Sequence, residues 1–186
     1  MATDVNAEYW EEYYKGMERP GPSRFAEWVR PRIDGKRTFD VGCGIGRDTV
    51  YLAETEFVRG FDPQAPNSSM FTRGDHTTVW SEGYGPDEDD TLYARWFFHA
   101  VPRTVVHDIL QDWRGELFAE SRVLPGPVDN SHWRDPLNVS EHRALLIRLG
   151  YGIKYFEVSD QFSPLPDHEN PMQRNPLLLR VWAYRL

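Results

Sequence analysis

Phe39-Asp40-Val41-Gly42-Cys43-Gly44-Ile45-Gly46-Arg47-Asp48 is the stretch whose reading decides the fold. A short apolar strand runs into a turn with glycine at every second position, and the chain restarts as a helix from about Arg47 to Glu54. Such glycines tolerate φ > 0 and let the backbone approach a ligand where a Cβ would clash. A second apolar strand, Phe57-Val58-Arg59-Gly60-Phe61, ends at Asp62, twenty residues beyond Gly42. An acid there accepts hydrogen bonds from the two ribose hydroxyls of a nucleoside. Turn and acid together describe a nucleoside-cofactor site.

The spacing separates the cofactor classes. A dinucleotide fingerprint, G-x-G-x-x-G, needs glycine at 47, where the chain has Arg47. The observed pattern is G-x-G-x-G, preceded by Asp40. It resembles motif I of the class I S-adenosylmethionine (SAM)-dependent methyltransferases. That resemblance implies SAM as cofactor, with Gly42, Cys43, Gly44 and Gly46 forming its turn and Asp40 near its methionine end. It places Asp62 and the adjoining Pro63 at the ribose and Asp75 near the adenine, although Asp75 serves equally well as a helix N-cap. The stretches Tyr9–Tyr14, Pro22–Ala26, Leu92–Pro102, Ala119–Arg122, Leu149–Tyr151 and Glu169–Pro171 resemble a branch of small bacterial methyltransferases, often linked to polysaccharide or natural-product pathways. In that family the segment before motif I folds over SAM. The aromatic run Tyr9, Trp10, Tyr13 and Tyr14 is thus either a packed stripe or a lid, with Tyr14 on the cofactor.

Composition narrows the class further. With 186 residues, 40% of them apolar, one substantial core is expected, residues 1–36 forming an N-terminal helical lid segment of the same domain. Cys43 is the single cysteine, read as a small buried filler rather than a nucleophile, and a reducing cytoplasm is the expected home. No signal peptide and no run of 18 apolar residues is seen, so neither secretion nor membrane spanning is expected. A net charge of −8 disfavours nucleic acid as partner. A small-molecule or saccharide acceptor is the expected partner, and a homodimer is allowed.

Helical and extended patterns alternate along the chain, which predicts an α/β fold. The expected form is doubly wound and Rossmann-like: a mostly parallel seven-stranded sheet with an antiparallel C-terminal strand, in three layers α/β/α. Helices are expected over 5–15, 24–32 (capped by Ser23), 47–54, 103–113 and from Ser140 to Leu149. Strands are expected over 38–41, 58–61, 70–75, 91–98, 115–121, 153–158 and 177–184. The link between the second and third strands is too short for the usual helix. Asp87-Glu88-Asp89-Asp90 reads as a solvated loop, not a metal site.

Methyl transfer is an in-line displacement that needs alignment and exclusion of water; an alcohol acceptor also needs a base, most often histidine. His99, at the carboxyl end of the fourth strand, is read either as that base or as a packed residue, and His132 is a second candidate. With period-two alternation, Tyr93, Arg95, Phe97 and His99 share a face, as do Glu116, Phe118, Glu120 and Arg122 of the next strand. This predicts an Arg95–Glu120 ion pair at the floor of an acceptor pocket, with His99 and Arg122 nearer the mouth. The pair is either structural or also grips the acceptor. Arg24 and Arg47 read as surface or acid-pairing residues. The expected function is O-methylation of a small polar or sugar-like acceptor. A non-catalytic partner of the same fold and a nicotinamide-dependent oxidoreductase are the alternatives, the second disfavoured by Arg47 and the lack of a later Tyr-x-x-x-Lys.

Overall fold

The computed structural model describes residues 3–16, 21–33, 35–54, 57–66, 68–74, 87–123, 135, 137–162 and 175–186. In chain order the elements are α1 (Thr3–Tyr14), α2 (Arg24–Val29) with a 3₁₀ turn (Arg30–Arg32), β1 (Thr38–Val41), α3 (Arg47–Leu52), β2 (Val58–Phe61), β3 (Phe71–Thr72), β4 (Thr91–Arg95), α4 (Arg103–Asp112), β5 (Glu116–Arg122), α5 (Val139–Arg148), β6 (Tyr151–Ser159) and β7 (Leu178–Arg185). The seven strands form one sheet in the order β3-β2-β1-β4-β5-β7-β6. Five strands run parallel; β7 inserts between β5 and β6 and is antiparallel to both. The expected α/β sheet is therefore present, with its antiparallel C-terminal strand.

Strand alternation builds the three layers. Leu92 and Ala94 of β4, with Leu117 and Ala119 of β5, face a cluster with Val106, Ile109 and Leu110 of α4 and Leu146 of α5. The intervening Tyr93 and Phe118 point the other way, onto Phe25, Ala26 and Val29 of α2, Ile33 and Leu52 of α3. Each central strand is thus covered on both faces, which suits parallel pairing. Ser23 caps α2, its Oγ accepting from the Ala26 N–H at 3.0 Å.

Several sequence expectations need correction. Strand β4 stops at Arg95 instead of reaching Phe98, because Trp96 turns the chain with a φ of +57°. The Trp96 N–H donates to the Glu120 carbonyl at 2.7 Å, and His99 lies in the following turn rather than on the strand face. Helix α2 ends at Val29 and tightens into a 3₁₀ turn containing Pro31, which has no N–H for an α-helical bond. The cap of α5 is Asn138, not Ser140; its Oδ1 accepts from the Glu141 N–H at 3.1 Å. The acidic run is not wholly solvated, since Asp90 is buried and holds Arg37 through two bonds of 2.8 Å. Strand β3 has only two residues, and Asp75 lies outside the described residues. Among the described residues, no helix is long and apolar enough to cross a membrane.

Candidate functional site

The carboxyl edge of β1 and β2 carries the glycine turn. Gly42 leaves β1 with its N–H bonded to the Phe61 carbonyl at 2.8 Å, tying the turn to the end of β2. Gly42, Gly44 and Gly46 all take positive φ, at +73°, +54° and +78°. The conformation is strained for L side chains, and space forbids them as well. A Cβ on Gly44 would lie 2.5 Å from Tyr14 Oη, and one on Gly46 would run into the Phe71 ring. Gly46 then serves as N-cap of α3 without a side chain.

Two carboxylates frame this turn. Asp62, immediately after β2, accepts from the Gly44 N–H at 3.1 Å and from the Gln64 N–H at 2.7 Å. Burial raises its pKa, and these two bonds counter part of the rise. Asp40, on β1, is 2% exposed and accepts from the Thr49 hydroxyl at 2.6 Å. Burial pushes its pKa up to about 8, against the lowering effect of the Thr49 bond. Burial thus favours the protonated carboxyl of Asp40. Pro63 follows Asp62 on the exposed side of the turn. Cys43 is kept as a thiol: burial, then the charges of Asp40 and Asp62, raise its pKa well above the ordinary value. A protonated thiol is a poor nucleophile.

Helix α1 contributes Tyr14 from above. Its hydroxyl sits over Gly44, and burial followed by the nearby Asp62 charge raises its pKa. Trp10 stacks on Tyr14 with centroids 5.8 Å apart, and Tyr9 and Tyr13 complete an aromatic group outside both core clusters. The four rings contact one another, and Tyr14 lies across the glycine turn.

Beside the turn, a chain of buried charges crosses the amino end of α3, the carboxyl ends of β4 and β5 and the amino end of β7. Asp48, in the first turn of α3, accepts from the Ser23 N–H (2.9 Å), the Ser23 hydroxyl (2.7 Å) and the Tyr93 hydroxyl (2.7 Å). Arg95 Nε lies 3.8 Å from Asp48 Oδ2 and 3.6 Å from Glu120 Oε1. Arg180 Nε donates to the other Glu120 oxygen at 2.6 Å. The Arg95–Glu120 pair expected from strand register exists, since the two residues are direct partners across β4 and β5. Glu120 nevertheless bonds more closely to Arg180, a residue the sequence reading did not single out. Asp48 was missed too; the signal available was an acid in the first turn of a helix opened by a glycine. Arg95 also acts electrostatically on Asp40 and Tyr14, so the charge chain and the glycine turn share one end of the sheet.

His99 is 2% exposed, and its Nδ1 accepts from the Arg122 N–H at 3.3 Å. This is the packed arrangement weighed beside the base role. The Arg122 guanidinium lies 5.2 Å from the centroid of the Trp96 ring, which also meets the Arg95 guanidinium. Arg47 donates to the carbonyls of Gly21 (2.5 Å) and Pro22 (3.2 Å) and stands 4.0 Å from Asp48. His132 lies outside the described residues.

No protein-family model matches the sequence, and no curated protein matches it. Solved structures do match. A 1,6-didemethyltoxoflavin-N1-methyltransferase from Burkholderia thailandensis, with its substrate and S-adenosylhomocysteine bound, aligns at a TM-score of 0.68 and 16% identity, covering 99% of this chain and 86% of that one. A magnesium protoporphyrin IX methyltransferase from Synechocystis with bound S-adenosylhomocysteine gives 0.64 and 13%, covering 98% and 95%. A SAM-dependent methyltransferase from Anabaena variabilis gives 0.66 and 13%, covering 98% and 94%. At such identities the likeness is one of fold: this chain has the fold of the SAM-dependent methyltransferases over nearly its whole length.

Proposed function

We propose that this chain, folded as the SAM-dependent methyltransferases are, binds SAM in the β1–α3 glycine turn and transfers its methyl group to oxygen of a small polar or sugar-like acceptor. The observation that carries the reading is the bond between the Asp62 carboxylate and the Gly44 N–H, which joins the acid after β2 to the positive-φ turn after β1.

The residues present fit the cofactor. The turn leaves no room for a Cβ at Gly44, and Asp62 still has acceptor capacity beyond its two backbone bonds. Asp62 and Pro63 would hold the ribose side and Asp40, with Thr49, the methionine side; the adenine role given to Asp75 is kept as part of the proposal. SAM supplies an electrophilic methyl group on a sulfonium, whose positive charge is lost on transfer. The rest falls to positioning by the protein, where alignment is worth up to about 7–11 kcal/mol. Tyr14 covers the turn and excludes water from it. His99 we assign to holding the β4–α4 turn against β5, because its Nδ1 is already an acceptor for Arg122.

A thermal-shift and calorimetric panel of SAM, S-adenosylhomocysteine and NAD, followed by a labelled-methyl acceptor screen, tests this. Binding of the first two and not NAD is expected. Binding of NAD alone would reverse the assignment.

A further inference from the structure

Arg95 differs from Arg37 and Arg180 in what it leaves unbonded. Arg37 grips Asp90 through two N–H groups at 2.8 Å, and Arg180 donates to Glu120 at 2.6 Å and to the Phe162 carbonyl at 3.0 Å. Both are satisfied structural cations. Arg95 lies between two carboxylates, 3.8 Å and 3.6 Å from Nε, and donates no hydrogen bond to any described residue. Its Nε is buried without a hydrogen-bond acceptor, and Oε1 of the fully buried Glu120 beside it is buried without a donor. Its side chain is 17% exposed, and its terminal nitrogens are not among the buried atoms.

The support under Arg95 is specific. Its guanidinium lies on the Trp96 indole, 4.6 Å from the centroid, which orients the plane of the fork. Trp96 reaches that place through a left-handed φ of +57°, a conformation that costs a bulky residue stability and concentrates at ligand sites. The Trp96 Nε1–H is itself buried with no acceptor. Donors unpaired in a buried setting are rare in folded proteins and call for an explanation. A planar oxyanion is the ligand that a guanidinium's parallel N–H groups match.

We propose that the terminal nitrogens of Arg95, oriented by Trp96 and held by Asp48 and Glu120, receive a carboxylate of the methyl acceptor, so that the acceptor class is a small carboxylic acid. This rests on the methyltransferase reading above. The rival source of the same chemistry is the amino-acid carboxylate of the cofactor, and the test separates the two.

The test is calorimetry of wild type, Arg95→Gln and Arg95→Lys. The probes are S-adenosylhomocysteine, 5′-methylthioadenosine (which lacks the amino-acid end) and three acids, benzoate, hexanoate and glucuronate, each beside its neutral amide. The acids and amides are titrated with and without S-adenosylhomocysteine. At least one acid is expected to bind wild type tenfold or more tightly than its amide, and to lose that preference in Arg95→Gln, as expected where a charge-assisted bond is removed. Arg95→Lys, which keeps the charge but not the fork, should recover only part of it. S-adenosylhomocysteine should bind all three proteins within threefold. A tenfold loss confined to S-adenosylhomocysteine, with methylthioadenosine unchanged, would give Arg95 to the cofactor and overturn the proposal. Equal binding of every acid and its amide to wild type would also overturn it, without relying on any variant. Failure of wild type to bind either adenosyl compound would instead sink the methyltransferase reading, while the acid–amide comparison still decides the role of Arg95.

Discussion

Replacing Arg180 tests the charge chain most sharply, because the two cations flanking Glu120 are unequal. Glu120 has no exposed surface, and Arg180 is 7% exposed in its side chain. Arg180→Met removes a hydrogen-bonded pair at 2.6 Å and leaves Glu120 with Arg95 at 3.6 Å. Losing the partner of a buried charge costs about 3–5 kcal/mol when nothing replaces it. Here Arg95 remains, its attraction about a quarter weaker at the longer distance in the same medium. The expected loss is therefore about 2–4 kcal/mol. Arg95→Met breaks no hydrogen bond and relaxes two longer ion pairs, so its cost should be lower, about 1–2 kcal/mol. The double change Arg180→Met with Glu120→Gln should recover part of the loss, since a neutral amide needs no counter-charge. Methionine preserves packing against Phe25 and Trp28, whose rings lie 5.4 and 5.8 Å from the Arg180 guanidinium carbon. Urea unfolding with an unchanged denaturant slope reports these differences as stability. If Arg95→Met proved more costly than Arg180→Met, or the double variant lost the sum of both, the proposed hierarchy would be refuted.

Asp40 should make stability fall as pH rises. Its folded pKa of about 8 lies above the unfolded value, so folding takes up a proton between the two. The stabilisation is fully present below about pH 4 and is lost as pH climbs through 8. Asp40→Asn should flatten this slope, its advantage over wild type in thermal melts growing from pH 5 to pH 8; a constant difference would contradict the raised pKa. Asn138→Ala should cost about 1 kcal/mol by denaturation and Ser140→Ala less than about 0.5, with the reverse order contradicting the cap. For a hydroxyl acceptor, His99→Asn should leave methyl-transfer turnover within about tenfold, whereas removal of a general base costs about 10²–10⁴.

What the sequence made legible was local. The glycine turn announces itself because three positive-φ positions fall within five residues, and the faces of β4 and β5 follow from period-two alternation up to Arg95. The sequence could not show where β4 ends: Trp96 has no propensity for positive φ, and its turn is fixed by a bond to Glu120 on the neighbouring strand. With that turn, the expected continuation of one face to His99 failed. Arg180 was hidden for a different reason. It meets Glu120 across 60 residues of sequence because β7 enters antiparallel beside β5, and nothing local marks that insertion. Asp48 looked like an ordinary first-turn acid until Tyr93 and Ser23 closed around it.

Titration of S-adenosylhomocysteine into wild type and Asp62→Ala by calorimetry tests the central claim most directly. The account predicts binding to wild type and an affinity at least tenfold lower in the variant, because hydrogen bonds to a charged acceptor contribute about 1.5–3 kcal/mol. No binding to wild type, or equal affinity in the two proteins, would contradict a cofactor site built on the glycine turn and Asp62.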